Sequence, residues 1–110
     1  MATVDHPRLV SKAWVYYDQT GTPAIGDSEN VSSVTDNSAG SFLVNWDTDF
    51  ASVNYVAFGA TNDEAFQHTV IYENGATSVH AVGSCNYLTV NLSSVTVDRT
   101  RNSVVAFGDL

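Results

Sequence analysis

The sequence predicts an all-β fold: a compact β-sandwich of eight or nine short antiparallel strands behind a short N-terminal arm. Three observations carry this expectation. Several short runs read with a period of two, odd and even positions falling on opposite faces. The alternating runs are short, rich in aromatic and β-branched residues, and separated by Gly, Asn and Asp clusters. No stretch shows a convincing helical period, and many short strands at close spacing favour a sandwich or barrel. The 110 residues suit one domain, spanning 12–110, with a real but modest core.

The elements follow in chain order. Residues 1–11, MATVDHPRLVS, have no period and contain Pro7, so they read as an arm. KAWVYY, residues 12–17, is a strand by composition. DQTGTP, residues 18–23, is turn chemistry, with Gly21 free to take a positive φ and Pro23 set against a helix. NVSSVT, residues 30–35, is an imperfectly alternating strand leading into DNSAG, a five-residue hairpin loop. SFLVNW, residues 41–46, returns from it, with Phe42, Val44 and Trp46 on one face and Ser41, Leu43 and Asn45 on the other. NYVAFGA, residues 54–60, sets Tyr55, Ala57 and Gly59 opposite Val56, Phe58 and Ala60.

The only short helical candidate is NDEAF, residues 62–66, where Asp63 and Glu64 suit a first turn. QHTVIYE, residues 67–73, and SVHAV, residues 78–82, are expected to pair across the Asn-Gly of ENGA. CNYLTVNL, residues 85–92, alternates Tyr87, Thr89 and Asn91 against Leu88, Val90 and Leu92. SVTV, residues 94–97, and SVVAFG, residues 103–108, complete the strands, joined by the polar link DRTRN.

Composition excludes several functions. Twelve acidic against four basic residues give a formal net charge of -8, a surface that repels phosphate backbones, so nucleic acid is not an expected partner. The single cysteine, Cys85, rules out an internal disulfide. The first 25 residues lack a basic start followed by an apolar run, and no apolar segment is long enough to span a bilayer. The expectation is a soluble protein made in a cytoplasm, with no membrane insertion. The sequons at Asn30 and Asn91 then read as coincidental.

No chemical constellation stands out. Cys85 follows Gly83-Ser84, and His68 and His80 lie nearby in sequence, as a Cys–His nucleophile pair would need. The plainer reading is a small apolar residue at a strand start. His6, His68 and His80 lack metal-ligand spacing, and Asp47-Thr48-Asp49 and Asp63-Glu64 fall short of a calcium loop. Phosphate loops and nucleophile elbows are absent, and no aromatic cleft anchors a carboxylate pair. The sequence therefore favours binding or structure over catalysis, with no cofactor. A carbohydrate-active enzyme is set aside for want of a nucleophile pair or perturbed acid.

KAWVYYDQTGTPAI, residues 12–25, NVSSVTDNSAGSFLVNW, residues 30–46, NYVAFG, residues 54–59, and SVVAFGDL, residues 103–110, occur in an order and spacing that cover nearly all of residues 12–110. Together they resemble a small β domain of bacteriophage virion surface proteins, often the C-terminal domain of tail fibres and common in marine phages. The segment 30–46 is the most specific part. Departures are Pro23 where the family often has an aliphatic residue, Gly26-Asp27 where a basic residue is frequent, and a loose match over 60–100.

The resemblance implies a non-enzymatic structural protein on the phage particle. It would be a homotrimer acting as a tail-fibre or receptor-binding-type module in host adsorption, with a host surface glycan as a further partner. The same fold serves equally as a capsid decoration protein, and the lack of a coiled-coil or β-helix shaft in these residues favours that address slightly. Residues 1–11 would dock on another virion protein, and Arg8 and Lys12 at that end are half of the chain's four basic residues. For the trimer interface the outward aromatics of the first and last strands are the candidates: Trp14, Tyr16, Tyr17 and Phe107.

If the aromatic face of residues 41–46 builds the core, Phe42→Ala or Trp46→Ala lowers stability by about 3–5 kcal/mol, measured by urea unfolding.

Overall fold

The computed structural model describes residues 10–62, 68–74 and 80–110. These residues form nine strands and no helix: β1 Ala13–Asp18, β2 Ala24–Glu29, β3 Val31–Ser38, β4 Ser41–Trp46, β5 Val56–Thr61, β6 Val70–Glu73, β7 His80–Ala81, β8 Ser84–Val90 and β9 Asn102–Phe107. One sheet has the order β2-β1-β9-β5, the other β3-β4-β8-β6, with β7 also on β8. Every strand pairing is antiparallel.

The two sheets pack face to face as a β-sandwich. Alternation on β1 and β9 turns Ala13, Val15, Tyr17, Val104 and Ala106 inward. Phe42, Val44 and Trp46 of β4 and Cys85 and Tyr87 of β8 meet them from the other sheet. The Tyr17 and Phe42 rings span the gap with centroids 5.1 Å apart. Phe42 is fully buried and Trp46 is 4 % exposed, so the face expected of residues 41–46 is the core face. At the Trp46 end, Phe50 and Tyr55 stack with centroids 4.2 Å apart, and the indole stands edge-on to both.

Four local expectations are corrected. Residues 24–29 form a strand that hydropathy does not reveal: β2 is exposed almost throughout, so it has no apolar period, and only its pairing with β1 defines it. The loop expected over residues 36–40 is a two-residue turn at Ala39-Gly40, because β3 continues through a register shift between Asp36 and Ser38. Asn37, between those residues, donates its side-chain amide to Asn86 Oδ1 at 2.8 Å.

The third correction concerns the Asn-Gly hairpin. β6 and β7 do not pair with each other; both pair with β8. Glu73 lies opposite Tyr87, Asn74 N donates to Asn86 O, and His80 lies opposite Cys85. Residues 70–74 and 80–81 thus act as one edge strand, interrupted by residues 75–79, which lie outside the described residues. The true tight hairpin follows, at Val82-Gly83 between β7 and β8.

Last, residues 94–97 form no strand. They fold back on β8 through a single bridge, Thr96 to Val90, with Asn91 Oδ1 accepting from Ser93 N and Val95 N. The helical candidate at 62–66 falls, apart from Asn62, outside the described residues.

The segments read as a turn (18–23) and a polar link (98–102) meet inside the protein. Gln19, Thr89 and Asn102 are at most 1 % exposed and Arg99 is 6 % exposed. The Gln19 side-chain carbonyl accepts from Arg99 N at 2.9 Å, Asn102 Nδ2 at 3.0 Å and, from the other sheet, Thr89 Oγ1 at 3.1 Å. Asn102 Nδ2 also reaches Tyr17 O and Arg99 O, and its Oδ1 accepts from Thr61 Oγ1 at 2.7 Å. Beside this knot Gly40 has φ of +70°, and a Cβ there would lie 2.6 Å from both Thr89 O and Val97 N. Gly40 is therefore fixed by the knot as well as by the turn.

Asn102→Ala leaves the Gln19 carbonyl, the Thr61 hydroxyl and two backbone carbonyls short of a partner in a dry interior. A loss of about 2–4 kcal/mol is expected in urea unfolding. Leu92→Ser, at a side chain 74 % exposed, is the matched control and stays within about 0.5 kcal/mol of the parent.

Candidate functional site

The outer face of the β2-β1-β9-β5 sheet is the candidate site. Strand alternation that buries Val15 and Val104 must turn their neighbours outward. The registers place these neighbours in rows across three strands: Trp14–Val105–Phe58, Tyr16–Ser103–Ala60, and Phe107 beside Val56. None of these side chains carries a charge. Phe58 is 56 % exposed, Val56 61 % and Tyr16 41 %.

The face is ordered by its own contacts. The Phe58 and Phe107 rings lie nearly parallel with centroids 6.1 Å apart. The Trp14 indole donates to Glu29 Oε2 at 3.1 Å. The Tyr16 ring lies over Gly26, where a Cβ would come within 2.8 Å of its Cδ1, so the glycine makes room for the ring. Between the rings is a hollow of about 440 Å³ lined by Trp14, Tyr16, Phe58, Ala60 and Val105 among others. Acidic side chains sit on β2, at the rim, where Asp27 and Glu29 lie opposite Tyr16 and Trp14.

Trp14, Tyr16 and Phe107, expected at a subunit interface, thus share one surface. Tyr17, expected with them, does not. It is 2 % exposed and packs on Phe42 inside its own chain, because adjacent residues of a strand point to opposite faces. Val56 and Phe58 are the members that sequence reading did not single out. Their signal was the even-numbered half of residues 54–60, apolar where a half-exposed strand would be polar. Lys12 lies at the foot of β1, with its backbone N–H bonded to Ala106 O. Arg8 lies outside the described residues.

A second cluster lies at the edge of the other sheet. Cys85 and His80 are near in sequence, and the β8 pairings bring Glu73 to them, with one ligand-type atom of each within 4.8 Å of the others. His80 Nδ1 is 3.1 Å from both Glu73 carboxylate oxygens and 3.6 Å from Cys85 Sγ. His80 Nε2 faces Val53 O at 3.0 Å, and the imidazole stacks on Tyr55 with centroids 4.1 Å apart. As a nucleophile Cys85 is poorly placed. It is fully buried, and burial above all pushes its thiol up to about 12, so it stays protonated at neutral pH. The Asp47 and Asp49 pair gathers no third ligand group among the described residues.

No helix among the described residues is long and apolar enough to cross a membrane. No protein-family model, curated protein or solved structure matches the chain.

The burial of Tyr17 has a measurable consequence. Its hydroxyl has no hydrogen-bond partner among the described residues. Burial first, then the charges of Asp36, Asp98 and Asp18, raise it from 10.0 to about 12. The unfolded chain then releases this proton at a pH where the folded protein still holds it. Its contribution to stability is intact below about pH 10 and is lost as pH rises toward 12. Tyr17→Phe is expected to be at least as stable as the parent at neutral pH. It should lose less stability between about pH 10 and 12, read by urea unfolding across that range.

Proposed function

We propose that the chain is a non-enzymatic structural module of a bacteriophage particle surface. It assembles with copies of itself, as a trimer, through the outer face of the β2-β1-β9-β5 sheet, and acts in host adsorption in the manner of a tail-fibre domain. The observation that carries the self-assembly is the uncharged apolar face built on Trp14, Tyr16, Phe58 and Phe107. On a chain of net charge -8, copies repel wherever acids face each other. The rows Trp14–Val105–Phe58, Tyr16–Ser103–Ala60 and Phe107–Val56 carry no charge, so two copies can approach there at the least electrostatic cost; Asp18, the last residue of β1, lies beyond them. The acids of β2 remain at the rim, where salt screens them within about 8 Å. Burying half-exposed rings such as Phe58 and Tyr16 supplies the driving force, and aromatic anchors are the usual hot spots of such contacts.

The particle address and the trimer rest on the resemblance carried by residues 12–25, 30–46, 54–59 and 103–110. Those segments supply β1 with the turn after it, the β3–β4 hairpin, β5 and β9. Three of the four thus contribute strands to the proposed assembly face.

Sedimentation equilibrium on the purified chain is expected to give a trimer mass. Phe58→Asp, at a side chain whose change leaves the core untouched, is expected to give a folded monomer by circular dichroism and sedimentation. A monomeric parent would remove the self-assembly reading. Immunogold labelling of intact particles checks the address: gold at the tail is expected, gold over the head would make the chain a decoration protein, and no gold would remove the virion reading.

A further inference from the structure

The geometry points to Glu73, His80 and Cys85 as a binding site for one zinc-class divalent cation at the edge of the β3-β4-β8-β6 sheet. Tyr55 covers one face of the His80 ring, and Tyr55 is itself fixed by its hydroxyl, which donates to Ala81 O at 2.7 Å. Nε2 faces only a backbone carbonyl, Val53 O, which cannot donate. Nδ1 faces the Glu73 carboxylate, which also only accepts, so in the ion-free protein each ring nitrogen sits against an acceptor. A cation would take the place of a proton on Nδ1 and leave the Nε2–H on Val53 O. Donation of the remote ring N–H to a carbonyl, which orients the imidazole and fixes its tautomer, is the usual support of a metal-bound histidine.

Nδ1 points at the other two groups. Tetrahedral zinc with ordinary bond lengths to nitrogen, oxygen and sulfur holds its ligand atoms about 3.3–3.7 Å apart. The separations here are 3.1 Å from Nδ1 to the Glu73 oxygens and 3.6 Å from Nδ1 to Cys85 Sγ, and all three ligand atoms lie within 4.8 Å of one another. Small side-chain shifts would admit the ion. A mixed sulfur, nitrogen and carboxylate set suits zinc better than the hard cations calcium and magnesium, which take oxygen ligands. The ion would replace the thiol proton and face the Glu73 carboxylate.

The site has an entrance. The Glu73 and His80 side chains are 34 % and 26 % exposed, while Cys85 is closed off on its core side. Three protein ligands leave a fourth position toward solvent for water. The ion would clamp the two halves of the interrupted edge strand, Glu73 of β6 and His80 of β7, onto β8. This role is independent of the outer apolar face of the other sheet.

The test uses the full chain, stripped with a chelator and desalted, with metal alone as the probe. Titration with Co²⁺ is expected to give a thiolate-to-cobalt charge-transfer absorption that saturates at one equivalent and disappears on adding Zn²⁺. Cys85→Ser should lack the absorption. Glu73→Gln, at a partly exposed position where the fold is not at risk, should bind Zn²⁺ at least about tenfold more weakly by calorimetry. It should also lose most of the Zn²⁺-dependent rise in melting temperature that the parent shows. Absence of the charge-transfer absorption in the parent overturns the site. So does its persistence in Cys85→Ser, or an unchanged Zn²⁺ affinity in Glu73→Gln.

Discussion

The arrangement depends on one side-chain carbonyl. Gln19 Oε1 sits where β1 ends and takes hydrogen bonds from the 98–102 segment, from the first residue of β9 and from β8 in the opposite sheet. A β-sandwich has only side-chain packing to hold one sheet on the other, and packing alone fixes their relative register weakly. A buried amide with three donors around it is directional, and in a dry interior a missed partner costs more than a made bond contributes. The knot thus favours the alignment that brings all three donors onto the Gln19 carbonyl, although the Gln19 Nε2 itself finds no partner among the described residues. The positive φ of Gly40, pressed against Thr89 O and Val97 N, couples the β3–β4 turn to the same point.

At the other end of the sandwich the fastening is different in kind. Trp46, Phe50 and Tyr55 form an aromatic cluster, and the indole N–H is bonded to the Tyr55 hydroxyl at 3.2 Å. That hydroxyl in turn donates to Ala81 O, so the cluster orders the start of the β7–β8 hairpin. The His80 ring stacked on Tyr55 belongs to both the aromatic end of the core and the Glu73–Cys85 edge. One stack of rings therefore links the packing of the sandwich to the chemistry available at its edge.

The two faces of the first sheet follow from one alternation. Each outward ring on β1 and β9 is the necessary neighbour of an inward Val, Ala or Tyr. On most half-exposed sheets the outward positions are polar, which is the signal that separates core from surface. Here β5 and β9 keep apolar residues on both sides, and the acids of the sheet are Asp27 and Glu29 on the exposed β2 strand and Asp18 at the end of β1. β2 is an edge strand whose Asp27 and Glu29 discourage pairing with another chain along its open side.

The sequence by itself determined the all-β class, most strand positions and the core face of β4, because period two and turn chemistry are local properties. It marked Trp14, Tyr16 and Phe107 as outward but set the buried Tyr17 among them. It could not show β2, whose exposed residues carry no apolar period, and it mistook the Asn-Gly pair for a hairpin turn. Local turn preference is there overridden by the partner strand: β8 offers backbone bonds to both segments, which they take in preference to each other. Above all, only the tertiary structure joined residues far apart in the chain. Gln19 meets Arg99 across 80 positions, and Glu73 and His80 meet across residues 74–79. Nothing in a one-dimensional pattern distinguishes a polar residue destined for water from one destined for a buried amide knot. That difference is decided by which strands pair, since pairing alone fixes which donors and acceptors are removed from water together.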